Sequence, residues 1–166
     1  MHVLLLADTH LREGEGARLV DRLSGHLELA DVIIHAGDVT DVSILAALEE
    51  FAPVRAVLGN NDRGMVLPER FVVELEGCEV AAVHDSGSST GRSARLRRWF
   101  PQADVVVFGH SHMPYHEVDI RTSDGHVQHQ INPGSAMQRR SAPQHTAAVM
   151  QLRDGLVTDI GHILLP

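Results

Sequence analysis

Lysine is absent from this chain. All 14 basic residues are arginine, and 22 acidic residues outnumber them, for a net charge of -8. Such a balance repels polyanions and argues against a general nucleic-acid binder. Arginine forks suit phosphate oxygens, but genomic base composition accounts equally well for the missing lysine. Cysteine is nearly absent too. Cys78 stands alone, which excludes an internal disulfide and a multi-cysteine zinc site. It lies in an apolar run and reads as a small buried hydrophobe. No apolar run approaches the ~20 residues that span a bilayer. Residues 1–7 lack the basic start and small-residue cleavage site of a signal peptide and read as a first strand. A cytoplasmic protein with no membrane association is the expectation.

What the chain has in excess is histidine, 12 in 166 residues. Imidazole is the commonest metal-ligating side chain, so the placement of these residues is informative. The length suits a single domain, residues 1–166, able to bury about 70% of its unfolded surface. No repeat, low-complexity tract or linker divides it.

Hydrophobic periodicity predicts strands at 2–7, 31–36 and 54–58, alternating with helices at 16–29 and 41–52, the second stopped by Pro53. The later half is richer in strands. Residues 70–76 and 79–84 flank Gly77-Cys78. A short basic helix at 92–100 ends at Pro101, and 104–108 is a β-branched strand. Segments 115–122 and 126–131 flank Asp124-Gly125, and 146–152 and 156–164 flank Asp154-Gly155, both strong hairpin signals. The fold class expected is α/β: two mixed β-sheets packed as a sandwich, with helices outside.

Five of these strands end alike. Residues 2–7 run into Asp8-Thr9-His10, and 31–36 into Gly37-Asp38. Residues 54–58 run into Gly59-Asn60-Asn61-Asp62, 79–83 into His84, and 104–108 into Gly109-His110-Ser111-His112. Each releases an oxygen or imidazole ligand at the carboxyl end of a strand, the edge where α/β sheets assemble their sites. Gly37, Gly59 and Gly109 would each allow a sharp exit from the sheet. The i, i+2 pairs Asp8/His10 and His110/His112 would share a face if extended. Any one motif alone is ordinarily a turn or a satisfied polar residue; five in one register are not.

The ordered set Asp-x-His, Gly-Asp, Gly-Asn-x-Asp, His, Gly-His-x-His resembles the calcineurin-like metallophosphoesterase superfamily. The short chain and Asn132-Pro133-Gly134-Ser135 resemble its small, uncapped bacterial and archaeal phosphodiesterase branch. That resemblance implies a first divalent metal held by Asp8, His10 and His112, a second held by Asn60, His84 and His110, and Asp38 bridging both. An N/O donor set suits Mn, Fe, Zn, Co or Ni, with manganese the first expectation in assays. Two such ions ~3.5–4 Å apart would clamp a phosphoryl group and acidify a bridging water toward pKa ~7. The implied catalytic residues are Asp38, Asn60, Asp62 and His84, with Asp62 orienting its loop.

Many family members carry histidine where this chain has Asn61. An amide cannot protonate a leaving oxygen, so diesters, or esters with good leaving groups, are the expected substrates. After His84 the chain reads Asp85-Ser86-Gly87, where many relatives have glycine and a second histidine. Asn61 and Arg63 are candidates to touch substrate, and Arg92, Arg139 and Arg140 are weaker ones beside the plain reading of solvated surface. His35 is read as a core hydrogen-bonding residue or a support for the site; His116, His126, His129 and His145 are assigned no chemistry. The leading expectation is thus a hydrolase of small phosphodiesters, possible as a homo-oligomer, with nucleic acid disfavoured as substrate. The alternative is a scaffold subunit on the same fold with little or no catalysis.

Overall fold

The first strand, β1 (His2–Leu6), shows how the layers arise. Successive side chains on a strand point to opposite faces. Leu4 and Leu6 pack with Leu19, Leu23 and Leu27 of helix α1 (Gly16–Leu27) and with Ile44 and Leu48 of α2 (Val42–Glu49). Val3 and Leu5 face the other way, into a second core with Val80, Val105, Val107 and Ile131. Buried on both faces from Val3 on, β1 is continuously apolar there rather than alternating. The computed structural model describes all of residues 1–166.

Strand β1 pairs in parallel with β2 (Val32–His35), and β2 with β3 (Val54–Ala56). The remaining strands are β4 (Arg70–Leu75), β5 (Cys78–Val83), β6 (Val105–Phe108), β7 (Tyr115–Ile120), β8 (Val127–Asn132), β9 (His145–Arg153) and β10 (Leu156–Leu165), with α3 (Arg92–Trp99) between β5 and β6. One sheet has the order β10-β9-β1-β2-β3, the other β4-β5-β6-β8-β7. Strands β5, β6 and β8 are parallel, and antiparallel β4 and β7 form the edges. Helix α3 covers the outer face of the second sheet, with Leu96 and Phe100 against Ala81, Val106 and Phe108. The result is the expected sandwich of two mixed sheets with helices outside. No helix is long and apolar enough to cross a membrane.

Several boundaries move. Strand β3 stops at Ala56, not residue 58, because the Leu58 amide leaves the sheet to bond the Pro68 carbonyl (2.8 Å). Helix α2 starts after Asp41, whose carboxylate caps it by accepting from the Ser43 amide (2.9 Å). It ends at Glu49, not residue 52, and α1 ends at Leu27, not residue 29. Cys78 belongs to β5. The turn before it is Glu76-Gly77, with φ of 50° and 79°, the left-handed pair of a tight hairpin.

Candidate metal centre

The carboxyl ends of β1, β2, β3, β5 and β6 converge on one edge of the sandwich. The Asp8 amide bonds the Gly37 carbonyl (2.9 Å), and the Gly109 amide bonds the His84 carbonyl (2.9 Å). The His110 amide crosses between the sheets to an oxygen of Asp8 (3.1 Å).

The exits from the strands are not extended. Asp8, His10, Asp38, His110 and His112 have φ of 54°, 48°, 57°, 71° and 58°, so left-handed turns make the i, i+2 pairs converge. Asp and His tolerate this region better than most side chains, but at some cost. Of the glycines, Gly37 does supply a turn, with φ of 87°. Gly59 has another purpose: a Cβ there would sit 2.2 Å from the Asp38 amide nitrogen and 2.3 Å from its Oδ1. Two loops touch backbone to backbone at that point.

Seven side chains meet at this edge. His112 Nε2 lies 3.2 Å from His10 Nε2 and 3.5 Å from Asp8 Oδ1. His84 Nε2 and His110 Nδ1 lie 3.1 and 3.0 Å from Asn60 Oδ1. Asp38 Oδ2 stands between the two groups, 3.3 Å from His10 Nε2 and 3.5 Å from His84 Nε2. Asp8, His10 and His112 form one cluster able to hold a metal ion, and Asp8, Asp38 and His84 another.

Two backbone carbonyls set the imidazoles. Ala36 accepts from His84 Nδ1 (2.8 Å), and Gln138 accepts from His112 Nδ1. A proton on Nδ1 leaves the Nε2 lone pair facing the centre, the usual arrangement of a ligating histidine. Burial raises the Asp8 carboxyl to about 7, against the pull of His84, and lowers His112 to about 4. Burial also lowers His10. At Asp38 burial acts upward, but hydrogen bonding with His84 and Asn61 outweighs it and holds the carboxyl well below its ordinary value. At His84 burial acts downward and is outweighed by Asp38 and the Ala36 carbonyl, so this imidazole is raised.

Asp62 is buried and does not face the cluster. Its Oδ2 accepts from the amides of Asp38 (3.0 Å) and Gly59 (2.7 Å), and its Oδ1 from Thr40 (2.7 Å). Asn61 donates twice to Asp38, from its amide (2.8 Å) and its side chain (2.7 Å). Arg63 is exposed and lines a neighbouring groove with Asp41, Leu45 and Met65. His35 is buried against Thr9 Oγ1 (3.1 Å), and burial pushes it down to about 3. The other arginines separate clearly. Arg92 lies over Phe108 and Tyr115, and Arg139 bonds the carbonyls of Ala142 and Pro143. The charge of Arg140 acts on Asp8, His10 and His112.

Supports that the sequence did not reveal come from 132–138. Asn132 Nδ2 donates to the Gly109 carbonyl (2.9 Å) and Ser111 Oγ (3.1 Å), and Ser135 Oγ donates to the Asp8 carbonyl (2.7 Å). In the sequence, Asn132-Pro133-Gly134-Ser135 reads as a tight turn beside the site with its backbone exposed to it, not as a source of side-chain supports, and a carbonyl such as that of Gln138 carries no signal at all.

A divalent metal fits these donors. Asp8 Oδ2 is buried without a hydrogen-bond partner, and oxygen and imidazole lone pairs converge with no sulfur among them.

The calcineurin-like phosphoesterase superfamily domain matches residues 1–155. A probable metallophosphoesterase of Methanothermobacter thermautotrophicus is 32% identical over 139 residues, 81% of this chain and 77% of that one. Among solved structures, an archaeal phosphodiesterase superposes with a TM-score of 0.71 at 18% identity, covering 99% of this chain and 100% of the other. Vps29 of Entamoeba histolytica, complexed with Zn²⁺, superposes with a TM-score of 0.70 at 18% identity, covering 98% and 97%. At that identity the structural likenesses speak to the fold.

Proposed function

The chain belongs to the calcineurin-like phosphoesterase superfamily, and on that premise we propose that it hydrolyses small phosphodiesters with two divalent metal ions, manganese first among them. The observation that carries this reading is Asp38 Oδ2, one carboxylate oxygen within 3.5 Å of imidazoles from both groups. Carboxylate is the side chain best suited to bridge two cations. Asp8, His10 and His112 would hold one ion, and Asn60, His84 and His110 the other, with Asp38 shared. When bound, the metals supply Lewis-acid polarisation of the phosphoryl group and activation of water.

The protein's own groups do the rest. The Ala36 and Gln138 carbonyls orient His84 and His112. Asp62 holds the Asp38 and Gly59 loops together, so its part in catalysis is positioning. Asn61 steadies Asp38 and offers no proton to a leaving group, which favours diesters and good leaving groups over alkyl monoesters. Arg140, exposed and acting on the first group, is the cation best placed to meet a phosphoryl oxygen; Arg63, facing its own groove, is a lesser candidate.

The test is hydrolysis of an aryl phosphodiester by metal-stripped protein, with and without Mn²⁺, beside Asp38→Asn. Turnover restored by Mn²⁺ and lost in the variant supports the reading. The likeness to Vps29 keeps one other reading, a scaffold that binds metal but cuts no ester. Metal uptake without turnover on any diester would favour it. No uptake at all would overturn the ligand assignment.

A further inference from the structure

A second group of histidines lies away from that edge, on β7, β8 and β10. Strands β7 and β8 pair with Val118 opposite His129 and His116 opposite Ile131. Residues opposite one another share a face, so His116 and His129 are diagonal neighbours. That face is the one Ile131 presents to the core between the sheets. Toward β7 the first sheet no longer covers it: Val118 and Ile120 are 46% and 59% exposed.

The two rings lie edge to edge with their planes at 22°, and His116 Nε2 lies 3.1 Å from His129 Nδ1. Neither ring has another hydrogen-bond partner. At a metal–nitrogen length of about 2.0–2.1 Å, two imidazoles on a tetrahedral ion stand about 3.3 Å apart, nitrogen to nitrogen. The observed separation needs only a small opening to match. His162, on β10 of the other sheet, reaches the same seam, where its Nε2 donates to the Asn132 carbonyl (2.8 Å). His129 also lines a cleft of ≈ 360 Å³ with Asp104 and His126, which gives water and ions a way in.

We infer that His116 Nε2 and His129 Nδ1 form a surface site for one transition-metal ion of the imidazole-preferring class, Zn²⁺, Ni²⁺ or Cu²⁺, with water completing its shell. Imidazole suits these ions, and no carboxylate pairs with either ring to favour Mg²⁺ or Ca²⁺. Burial lowers both histidines; His162 lowers His116 further, and His116 lowers His129 against an upward pull from Asp104, which favours the neutral rings a metal requires. An ion here would tie the edge strand β7 to β8. The site is independent of the proposed hydrolysis, since none of its residues contacts the carboxyl-end cluster.

The experiment is a calorimetric titration of the full chain with Ni²⁺ at pH 7.5. The wild type should take up one equivalent more than a His116→Ala/His129→Ala double variant, with circular dichroism confirming its fold. If the double variant does not fold, His116→Gln alone, at an exposed position, should lose the same equivalent. The Cu²⁺-loaded wild type should show two-nitrogen coupling in its electron paramagnetic resonance signal at this site, absent from the variant. Equal stoichiometry in wild type and variant overturns the inference, whether or not the protein cuts any ester.

Discussion

Among the stretches of left-handed backbone in this protein, two arise under opposite terms. At the hairpin turns Glu76-Gly77 and Asp154-Gly155 both residues have positive φ, and the second is glycine. The turn is the local solution that a right-twisted pair of strands prefers, and the two turns meet where the Gly155 amide bonds the Glu76 carbonyl (2.8 Å). At the carboxyl edge, Asp8, His10, Asp38, His110 and His112 adopt the same region as candidate ligands, without glycine's freedom. Residues held there cost on the order of 1–3 kcal/mol each and persist only where the surroundings over-determine them. Here the surroundings do: Asp62 ties three amides, Asn132 and Ser135 brace the facing loops, and Gly59 lets two backbones touch. The hairpin turns rely on glycine's freedom and on one contact with each other, whereas the candidate ligand loops are held by hydrogen bonds from several elements.

The comparison can be broken most sharply at Gly59. Its φ is ordinary, so alanine brings no conformational penalty, only a Cβ 2.2 Å from the Asp38 amide. Backbone cannot swing aside as a flexible side chain would. Gly59→Ala should destabilise by about 3 kcal/mol or more and abolish tight metal binding, read by urea denaturation and metal titration. Retention of both would mean that the two loops are not rigidly coupled. Next in size is Asp62→Ala, which removes the acceptor of three amides. Each buried orphan costs about 1–3 kcal/mol, and loss of such a supporting partner typically lowers metal affinity about 10–100-fold. An unchanged affinity would refute the positioning role.

Most of the sandwich was legible because its signals are local. Apolar runs marked the strands, and Asp154-Gly155 announced its hairpin. The candidate ligands stood out as residue types at strand ends, but the geometry uniting them did not. Convergence of Asp8 with His10 looked like an extended pair and is instead a left-handed excursion, which no residue type specifies. Gly37 fits the turn argument made for it. Gly59 answers to a contact with a residue 21 positions away in the chain, a distance at which periodicity is silent. The arginines were indistinguishable in sequence, and only the fold sends Arg92 to two aromatic rings and Arg139 to its own loop while leaving Arg140 near the ligands.

The electrostatic side of the comparison yields an effect spread over a range of pH. Burial holds the Asp8 carboxyl at about 7 against an ordinary 3.8. A carboxyl raised on folding contributes stability that is fully present below its unfolded pKa and is lost as pH rises through its folded one. His10 and His112, lowered on folding, act in the opposite sense as pH falls, so the Asp8 effect must be isolated. In metal-free protein, the stability of Asp8→Asn relative to wild type should grow by up to about 1.4 kcal/mol per pH unit between the two Asp8 values. Denaturation at a series of pH values reads this directly. A constant difference would mean that Asp8 is already ionised in the fold.

The smallest effect belongs to the hairpin. Gly155 has φ of 75°, and a Cβ there would meet only the Gly77 carbonyl, at an ordinary 3.6 Å. Gly155→Ala therefore keeps its packing and bears only the left-handed penalty, roughly 1–2 kcal/mol. It should lower the denaturation midpoint modestly and leave metal affinity and turnover unchanged. Placed beside Gly59→Ala, it separates the two demands on glycine: freedom of φ at the turn, and absence of a Cβ at the site. Should Gly155→Ala weaken metal binding, the hairpin and the candidate ligand loops would be coupled after all, and the contrast between a turn remote from the site and a mutually braced edge would fail.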